Sequence, residues 1–466
     1  MKILLINPPS AFKTPILPLG LASLAAYLKE KDGNREIAVI DAWAENLSGD
    51  DLEKKIAETE ADIVGIYVVS PRYKKAKKTI EICRRSLPGA LIVAGGPHPS
   101  AVPQETLQDI PELDICIIGE GEITMQEITA GNALSDINGI AYRKNENIIL
   151  NQPREFIKNL DELPFPARDM FPLKKYRTHP PYGRKNPYFT IITSRGCPFQ
   201  CAYCSKDVFQ QNYRAMSPQR IVDEIEMLVK NYGAKEIHFY DDDFTVDMAR
   251  GEAICDEILR RNLKIIWSCN TRVDLVNERL LKKMKQAGCW LISYGVESGD
   301  EQILNSINKG FSVSQVIAAF EITRQIGIKT LAYFMVGLPG ETKETAQKTI
   351  ALSKKIKPDF VSFGSLVVYP GSRLFKLIQS GRYPGKLRTL GEKEKVTGTF
   401  FGGKGNYVVL EDNLTFEELQ EIIKKANRDF YLNPSYVLRS ATSIKSWSDL
   451  NYYFKAGVEL LKSIVK

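Results

Sequence analysis

Three cysteines lie close together at Cys197, Cys201 and Cys204, in the spacing C-x3-C-x2-C. The apolar, β-branched run Tyr188–Ser194 precedes them and predicts a buried strand. The cysteines therefore follow the carboxyl end of a strand, where α/β barrel enzymes carry their chemistry. Three thiolates can bind three irons of a [4Fe–4S] cluster and leave the fourth iron open to a small molecule. A zinc site or three unconnected thiols is the alternative, although zinc usually takes four ligands in paired spacings.

Composition bounds the class of protein. At 466 residues the chain is long enough for two or three domains, with 44% hydrophobic and 26% charged residues. Its net charge of +7 is mild, which favours an anionic cofactor or substrate and does not indicate nucleic acid. No apolar run is long enough for a transmembrane helix, and no signal-peptide pattern opens the chain. The eight cysteines do not resemble a secreted disulfide framework, so we expect a cytoplasmic protein.

Residues 1–150 alternate short apolar runs with amphipathic stretches, a pattern typical of βαβ units in a doubly wound parallel sheet. The predicted strands are Lys2–Ile6, Ile37–Asp41, Ile63–Val69, Leu91–Ala94 and Ile115–Ile118. A hairpin predicted over 139–150 closes this domain. No G-x-G-x-x-G follows the first strand, so a dinucleotide fingerprint is absent.

The loops that follow these strands are rich in Gly, Pro and polar residues, which let a bulky ligand approach the backbone. Ligands bind such sheets at the carboxyl ends of the strands. The candidate contact residues are Asn7, Pro9, Leu19, Ser70, Arg72, Gly95, Gly96, His98, Gly119, Glu120 and Gly121. Any single one of these loops could equally be an ordinary turn, and a lone histidine in a loop is more often only hydrogen-bonded.

The rest of the chain divides into three predicted parts. Residues 151–187 are rich in proline, including His179-Pro180-Pro181, and predict a linker. Residues 188–380 contain six strand–helix units, too few for an eight-stranded barrel, so we predict a partial barrel. Residues 381–466 begin with a Gly- and Lys-rich stretch over 382–405 and are otherwise predicted to be mainly helical. Aromatic residues at helical spacing near the carboxyl terminus predict core packing, with a lid over the substrate as the alternative.

Polar segments end each predicted barrel strand. The acidic run Asp241-Asp242-Asp243 fits a solvated turn that caps a helix as well as it fits a functional site. Arg272 follows the third strand and could pair with a carboxylate of a substrate or cofactor. Glu297 and Ser298 end the fourth strand, Gly337 follows the fifth, and Tyr369 follows the sixth.

Together these motifs resemble the cobalamin-dependent radical S-adenosylmethionine (SAM) enzymes of the class B methylase type. The cysteine spacing matches their cluster motif, and Asn7-Pro8-Pro9, Gly95–Pro99 and Gly119–Glu122 match their cobalamin domain. The resemblance implies a Rossmann-like cobalamin-binding domain, a partial (β/α)6 barrel and a helical extension. One pattern is missing: D-x-H-x-x-G, whose histidine ligates cobalt in many cobalamin proteins. We therefore expect cobalamin to bind with no protein histidine on cobalt.

The resemblance also implies the cofactors and their residues. They are a [4Fe–4S] cluster on the three cysteines, SAM, and cobalamin on the loops of the first domain. Tyr203, Glu297, Ser298 and Gly337 are expected to contact SAM, with Glu297 accepting from its amino group. Tyr369 and Arg272 are the candidates for a direct part in catalysis.

The expected reaction is methyl transfer from methylcobalamin to an unactivated carbon, after the 5′-deoxyadenosyl radical has removed a hydrogen atom. The alternatives are a cyclase or rearrangement enzyme of the same architecture and a non-catalytic cobalamin sensor. The expected substrate is a peptide or protein side chain or a small natural product. An electron donor such as flavodoxin or ferredoxin is the expected partner, and the expected state is a monomer.

Overall fold

The structure is a computed structural model that describes residues 1–10, 16–33, 35–178, 180–391, 394, 396, 407–444 and 447–464. His179 of the predicted linker and part of the Gly- and Lys-rich stretch lie outside the described residues. None of the helices in the described ranges is long and apolar enough to cross a bilayer.

The chain divides into two compact units. Unit 1 contains Met1–Arg177, Ser205–Arg214 and Tyr369–Ser372, and unit 2 contains Thr178–Cys204, Ala215–Val368 and Arg373–Lys466. The predicted linker is thus shared between the units, and the predicted carboxyl-terminal domain lies in the same unit as the barrel. The finer boundaries at 150, 187 and 380 stay predictions.

A seven-stranded sheet forms the centre of unit 1, in the order β2-β1-β3-β4-β5-β6-β7. Its strands are β1 (Lys2–Asn7), β2 (Glu36–Asp41), β3 (Ile63–Tyr67), β4 (Leu91–Gly95), β5 (Ile115–Ile117), β6 (Ile140–Lys144) and β7 (Asn147–Leu150). Strands β1 to β5 are parallel, while β6 and β7 are antiparallel to their neighbours. The strand order reverses between β1 and β3, which is where doubly wound sheets bind ligands.

Helices cover this sheet and bury its apolar strands. They are α1 (Leu19–Lys31), α2 (Ala42–Glu45), α3 (Asp50–Ala57), α4 (Tyr73–Ser86), α5 (Pro97–Ala101), α6 (Pro103–Asp109) and α7 (Glu122–Thr129). The core contains buried residues of the strands, such as Leu4, Val64 and Ile92, and the inner face of α4 with Ile80. Near-continuous apolar strands are typical of a parallel sheet covered on its faces.

Six parallel strands form the main sheet of unit 2, in the order β15-β14-β13-β12-β11-β8. The strands of this part of the chain are β8 (Tyr188–Ile191), β9 (Ser194–Arg195), β10 (Arg214–Ala215), β11 (Glu236–Phe239), β12 (Ile266–Thr271), β13 (Cys289–Glu297), β14 (Lys329–Val336) and β15 (Phe360–Ser365). Within the described residues β8 and β15 each pair with one strand of this sheet, so the sheet stays open. The predicted partial barrel is confirmed.

Helices of unit 2 follow the strands and continue into the carboxyl-terminal part. They are α8 (Pro218–Tyr232), α9 (Met248–Arg260), α10 (Glu278–Gln286), α11 (Glu301–Ser306), α12 (Val313–Ile326), α13 (Lys343–Lys355), α14 (Arg373–Gln379), α15 (Phe416–Tyr431), α16 (Pro434–Thr442) and α17 (Trp447–Ile464). Helix α15 begins at a capping box, in which Thr415 and Glu418 satisfy each other's backbone N–H groups.

Two features of the carboxyl-terminal part differ from the sequence prediction. A two-stranded antiparallel ribbon, β16 (Lys386–Thr389) and β17 (Val408–Glu411), lies in a part predicted to be mainly helical. Its strands are only four residues long, too short to show a clear period of two. The predicted core packing of the aromatic stripe is wrong for Trp447 and Phe454, which are exposed, and right for the buried Tyr452.

Candidate functional site

The cysteine loop is fixed to the barrel by backbone hydrogen bonds. Ala202 N donates to Ile307 O at 2.9 Å, and Leu374 N donates to Ala202 O at 2.8 Å. Cys201 is buried, whereas Cys197 and Cys204 are half-buried. Within the ranges described, no three His, Cys, Asp or Glu side chains are arranged to hold a metal ion together. The assignment of all three cysteines to one cluster stays a prediction from their spacing.

The electrostatics around Cys201 favour a thiolate. A hydrogen bond with the Cys204 thiol and the positive charges of Lys309 and Arg272 lower the pKa of Cys201, against the effect of burial, while the same hydrogen bond and burial raise the pKa of Cys204. Since thiolates are the ligands of iron–sulfur clusters, this environment fits the predicted cluster.

Arg272, which directly follows β12, contacts the cysteine loop. Its guanidinium lies 3.8 Å from the centre of the Phe199 ring, and its Nη1 lies 4.0 Å from Cys201 Sγ. Nε and Nη2 donate to the two carboxylate oxygens of Asp274, each at 2.9 Å, and Nη2 also donates to Lys309 O at 2.7 Å. The carboxylate that Arg272 contacts in this structure is therefore the chain's own Asp274.

A buried lysine that sequence reasoning missed lies beside two of the predicted SAM residues. Lys309 Nζ donates to Glu297 Oε1 at 2.9 Å and to the Tyr203 hydroxyl at 3.2 Å, and that hydroxyl donates to Glu297 Oε1 at 3.1 Å. Burial acts to lower the pKa of Lys309, but the charges of Glu297 and Cys201 raise it above its usual value. Lys309 therefore carries a full positive charge next to a carboxylate.

The backbone at Glu297 has an unusual conformation. Its φ is +70°, and the pairing of β13 with β14 shifts register between Gly295 and Glu297. A Cβ at Gly295 would lie 2.6 Å from Glu297 Oε1, so the glycine makes room for the carboxylate. Strain of this kind in non-glycine residues is concentrated at functional sites.

Two other predicted SAM residues are engaged elsewhere. Ser298 Oγ contacts Thr349 Oγ1 at 3.2 Å and accepts from Asp300 N, so it stabilises the turn after β13. Gly337 N donates to the buried carboxylate of Glu341 at 2.5 Å.

Tyr369, a candidate for a direct part in catalysis, belongs to the segment Tyr369–Ser372 of unit 1, and burial raises its pKa to about 12.

Unit 1 brings several predicted cobalamin residues together at the switch point. Asn7 Nδ2 donates to the buried Asp41 Oδ1 at 2.9 Å, and Tyr176 donates to Asp41 Oδ2 at 2.6 Å. Burial raises the pKa of Asp41. Arg72 Nη1 donates to Asn7 Oδ1 at 3.0 Å, and its guanidinium lies over the ring of Trp43 at 5.0 Å.

His98 and Ser70 form a second pair at the same edge of the sheet. Ser70 Oγ and His98 Nδ1 are 3.0 Å apart, and the ring of His98 packs against that of Tyr73 at 4.2 Å. Pro9, Leu19, Gly95 and Gly121 lie just after β1, at the start of α1, at the end of β4 and just before α7. Gly96 has a φ of +110°, and a Cβ there would lie 2.9 Å from the Tyr67 ring, so glycine is required.

The burial of His98 predicts acid sensitivity of the apoprotein. Burial lowers the pKa of His98 to about 4, whereas an unfolded histidine titrates near its ordinary value. Because the unfolded state binds a proton first, the neutral imidazole stabilises the fold fully above about pH 6.5 and loses this contribution as pH falls toward 4. His98→Gln should therefore reduce the loss of unfolding free energy between pH 7 and pH 5 by about 2 kcal/mol. Hydrogen exchange of peptides from unit 1 at increasing urea, at both pH values, measures this, and an unchanged loss would contradict it.

Glu120 makes a buried ion pair with a residue that the sequence did not single out. Both of its carboxylate oxygens lie 3.0 Å from Arg214 Nη1, and Oε2 also accepts from Ile157 N at 2.8 Å. Arg214 lies 4.7 Å from the centre of the Phe156 ring. Its Nε and Nη2 are buried with no hydrogen-bond partner in the part of the chain described.

Two family models match the chain: the B12 binding domain over residues 10–129 and the Radical SAM superfamily over residues 191–353. An uncharacterized methyltransferase of Pyrococcus horikoshii is 33% identical over 94% of this chain and 94% of its own length. The anaerobic magnesium-protoporphyrin IX monomethyl ester cyclase of Rubrivivax gelatinosus is 31% identical over 95% of this chain and 79% of its own length. The chain therefore belongs to the cobalamin-binding radical SAM enzymes.

Two solved structures share the fold. The radical SAM methyltransferase TsrM from Kitasatospora setae, with cobalamin and a [4Fe–4S] cluster bound, has a TM-score of 0.72 and 18% identity, over 93% of this chain and 89% of its own. The cobalamin-dependent SAM radical enzyme OxsB has a TM-score of 0.75 and 18% identity, over all of this chain and 72% of its own. The predicted fold class, enzyme class and three cofactors are confirmed.

Proposed function

We propose that this enzyme is a radical SAM C-methyltransferase, which methylates an unactivated carbon. The observation that carries the proposal is the pairing of a B12 binding domain with a radical SAM domain in a chain 33% identical to a methyltransferase over nearly its whole length. When bound, SAM at the reduced cluster supplies the 5′-deoxyadenosyl radical, and cobalamin supplies the methyl group.

Glu297 and Lys309 are proposed to hold the methionine part of SAM. That part carries one ammonium and one carboxylate, and these two side chains offer a carboxylate and an ammonium in contact, next to Cys201 and Cys204. Both are buried, so little water screens the interaction. Their mutual ion pair would open as each side chain takes its partner on SAM.

The inner face of the barrel is proposed to hold the substrate. His238 and Ser268 are buried on neighbouring strands, with His238 Nδ1 and Ser268 Oγ 2.8 Å apart, and burial lowers the pKa of His238 to about 4. Tyr333 on β14 and Ser362 on β15 pair in register farther along the same sheet, beyond β13. A Cβ at Gly364 would meet no atom within 4 Å. Barrel interiors are usually filled by bulky branched residues, so small and neutral polar ones leave room for an uncharged part of a substrate.

Cyclisation is the second candidate, because cyclases are among the relatives at 31% identity. The experiment that separates the two is anaerobic turnover with SAM labelled in its methyl group, followed by mass spectrometry of the product. We expect labelled methyl on carbon, with two SAM molecules consumed per turnover and 5′-deoxyadenosine as one product. An unlabelled product formed with 5′-deoxyadenosine would favour the cyclase. Cluster-loaded protein that never releases 5′-deoxyadenosine would favour the cobalamin sensor.

A further inference from the structure

Exposed apolar side chains are concentrated in the last helices of unit 2. Of the ten exposed large hydrophobic residues in the described chain, six lie between 432 and 454. We call the three that lie on α17 the C-terminal apolar surface: Trp447, Leu450 and Phe454. Trp447 is 83% exposed and Phe454 is 69% exposed. Single exposed apolar residues are common, but a cluster that includes two aromatic rings marks an interaction site.

The opposite face of α17 is anchored to the barrel. Tyr452 is buried, its hydroxyl donates to Pro181 O at 3.1 Å, and its ring packs edge-on against Trp290 at 6.1 Å. Asp449 forms an ion pair with Arg184. A rotation of α17 that buried Trp447 would break these contacts. The packing of α17 against the barrel therefore keeps the face that carries Trp447 exposed.

The outer face of α17 has the pattern of an interfacial helix. Trp447, Leu450 and Phe454 are spaced i, i+3 and i+7, so they lie along one stripe of the helix. The surrounding sequence is basic. Residues 434–466 contain Arg439, Lys445, Lys455, Lys462 and Lys466 against Asp449 and Glu459. Trp, Phe and Leu on one face of a helix within a basic segment are typical of helices that lie in the surface of a membrane.

We propose that the C-terminal apolar surface binds the surface of an anionic bilayer. Trp447, Leu450 and Phe454 would enter the boundary between headgroups and acyl chains, and the exposed Lys455 would lie against anionic headgroups. Charge selects this partner over a second copy of the chain. Pairing of two copies through this surface would bring two basic segments together, whereas anionic lipid neutralises them. The proposal concerns attachment to a membrane surface and does not depend on the reaction that the enzyme catalyses.

The test is flotation of the full-length protein with vesicles. One set contains equal parts of phosphatidylglycerol and phosphatidylcholine, and the other contains phosphatidylcholine alone. We expect the protein to float with the anionic set and at least tenfold less with the neutral set, and 0.5 M NaCl should weaken the binding. Trp447→Ser combined with Phe454→Ser should lower flotation with the anionic set at least tenfold.

The matched control is Leu259→Ser, which removes an exposed leucine from α9. It should leave flotation unchanged. The double variant should keep the urea unfolding midpoint of the wild type, because both side chains it removes are exposed. Absence of flotation with anionic vesicles, or equal flotation of wild type and double variant, would overturn the proposal. So would a dimer, seen by light scattering, that the double variant abolishes while vesicles bind neither protein.

Discussion

Lys309→Met is expected to weaken SAM binding by about a hundredfold or more. The substitution removes the proposed partner of the SAM carboxylate, and truncating one partner of a buried, hydrogen-bonded charge pair across a binding interface costs about 2–5 kcal/mol. About 3 kcal/mol corresponds to a hundredfold change in Kd. The ammonium that contacts Glu297 in this structure is lost as well. Equilibrium dialysis of SAM with the anaerobic, cluster-loaded protein measures the Kd, and release of 5′-deoxyadenosine measures the consequence for cleavage.

Lys329→Met is the matched control for this prediction. Lys329 also pairs with a carboxylate, with its Nζ 2.7 Å from Asp359 Oδ1, but it lies at the amino end of β14. It should leave the Kd for SAM within about threefold of the wild type, while Lys309→Arg should recover part of the affinity, since it restores the charge. Cys197→Ala removes a predicted cluster ligand and should not cleave SAM. Its release of 5′-deoxyadenosine therefore gives the background of the assay. A Lys309→Met enzyme that binds SAM as the wild type does would refute the role proposed for this lysine.

The order of the elements could be predicted because each carries its signal locally. Strand β1 is predicted over Lys2–Ile6 and spans Lys2–Asn7, and β4 is predicted over Leu91–Ala94 and spans Leu91–Gly95. A strand of this kind is a short run of β-branched and apolar residues between amphipathic helices. It can be recognised without knowing which distant residues it contacts. The same holds for the cysteine loop, whose spacing lies within eight residues of sequence. Where a sequence pattern and the element it predicts lie in the same short segment, the predicted and observed ends of the element agree within one or two residues.

The partners of the site residues could not be predicted, because the fold alone brings them together. Tyr203 and Glu297 are 94 positions apart, and so are Glu120 and Arg214. Lys309 follows a short helix in an ordinary loop pattern, and only the turn of the chain after α11 brings it to Glu297. Ser298 shows the converse case. It stands next to a site residue in sequence, yet its side chain lies on the other side of the strand end, against Thr349.

Glu120 illustrates how a residue of a ligand loop can also stabilise the fold. Its carboxylate is buried, with 3% of the side chain exposed, and Arg214 has 9% exposed. The sequence predicts Glu120 as a cobalamin contact, and the structure shows the same carboxylate holding the segment Ser205–Arg214 to the rest of unit 1. Its contact with cobalamin stays a prediction. The ion pair can be tested without any cofactor.

Glu120→Gln is expected to lower the free energy of unfolding of unit 1 by about 3–5 kcal/mol. The amide can still accept from Ile157 N, but the guanidinium of Arg214 would stay buried without a negative charge beside it. Hydrogen exchange of peptides covering 115–150, measured in the cofactor-free protein at increasing urea, reports the stability of unit 1 itself. Unit 2 is a separate compact unit, so a whole-chain measurement would mix its unfolding with that of unit 1.

Glu60→Gln is the exposed control, since Glu60 pairs with Lys2 at the surface of unit 1 with 77% of its side chain exposed. It should cost far less than Glu120→Gln, because water and salt screen an exposed ion pair. The double variant Glu120→Leu, Arg214→Met should cost less than the sum of its two single variants, because neither charge is then left alone in the interior. A cost for Glu120→Gln no larger than that for Glu60→Gln would show that water reaches Arg214. The pair would then position the segment after the cysteine loop without stabilising it.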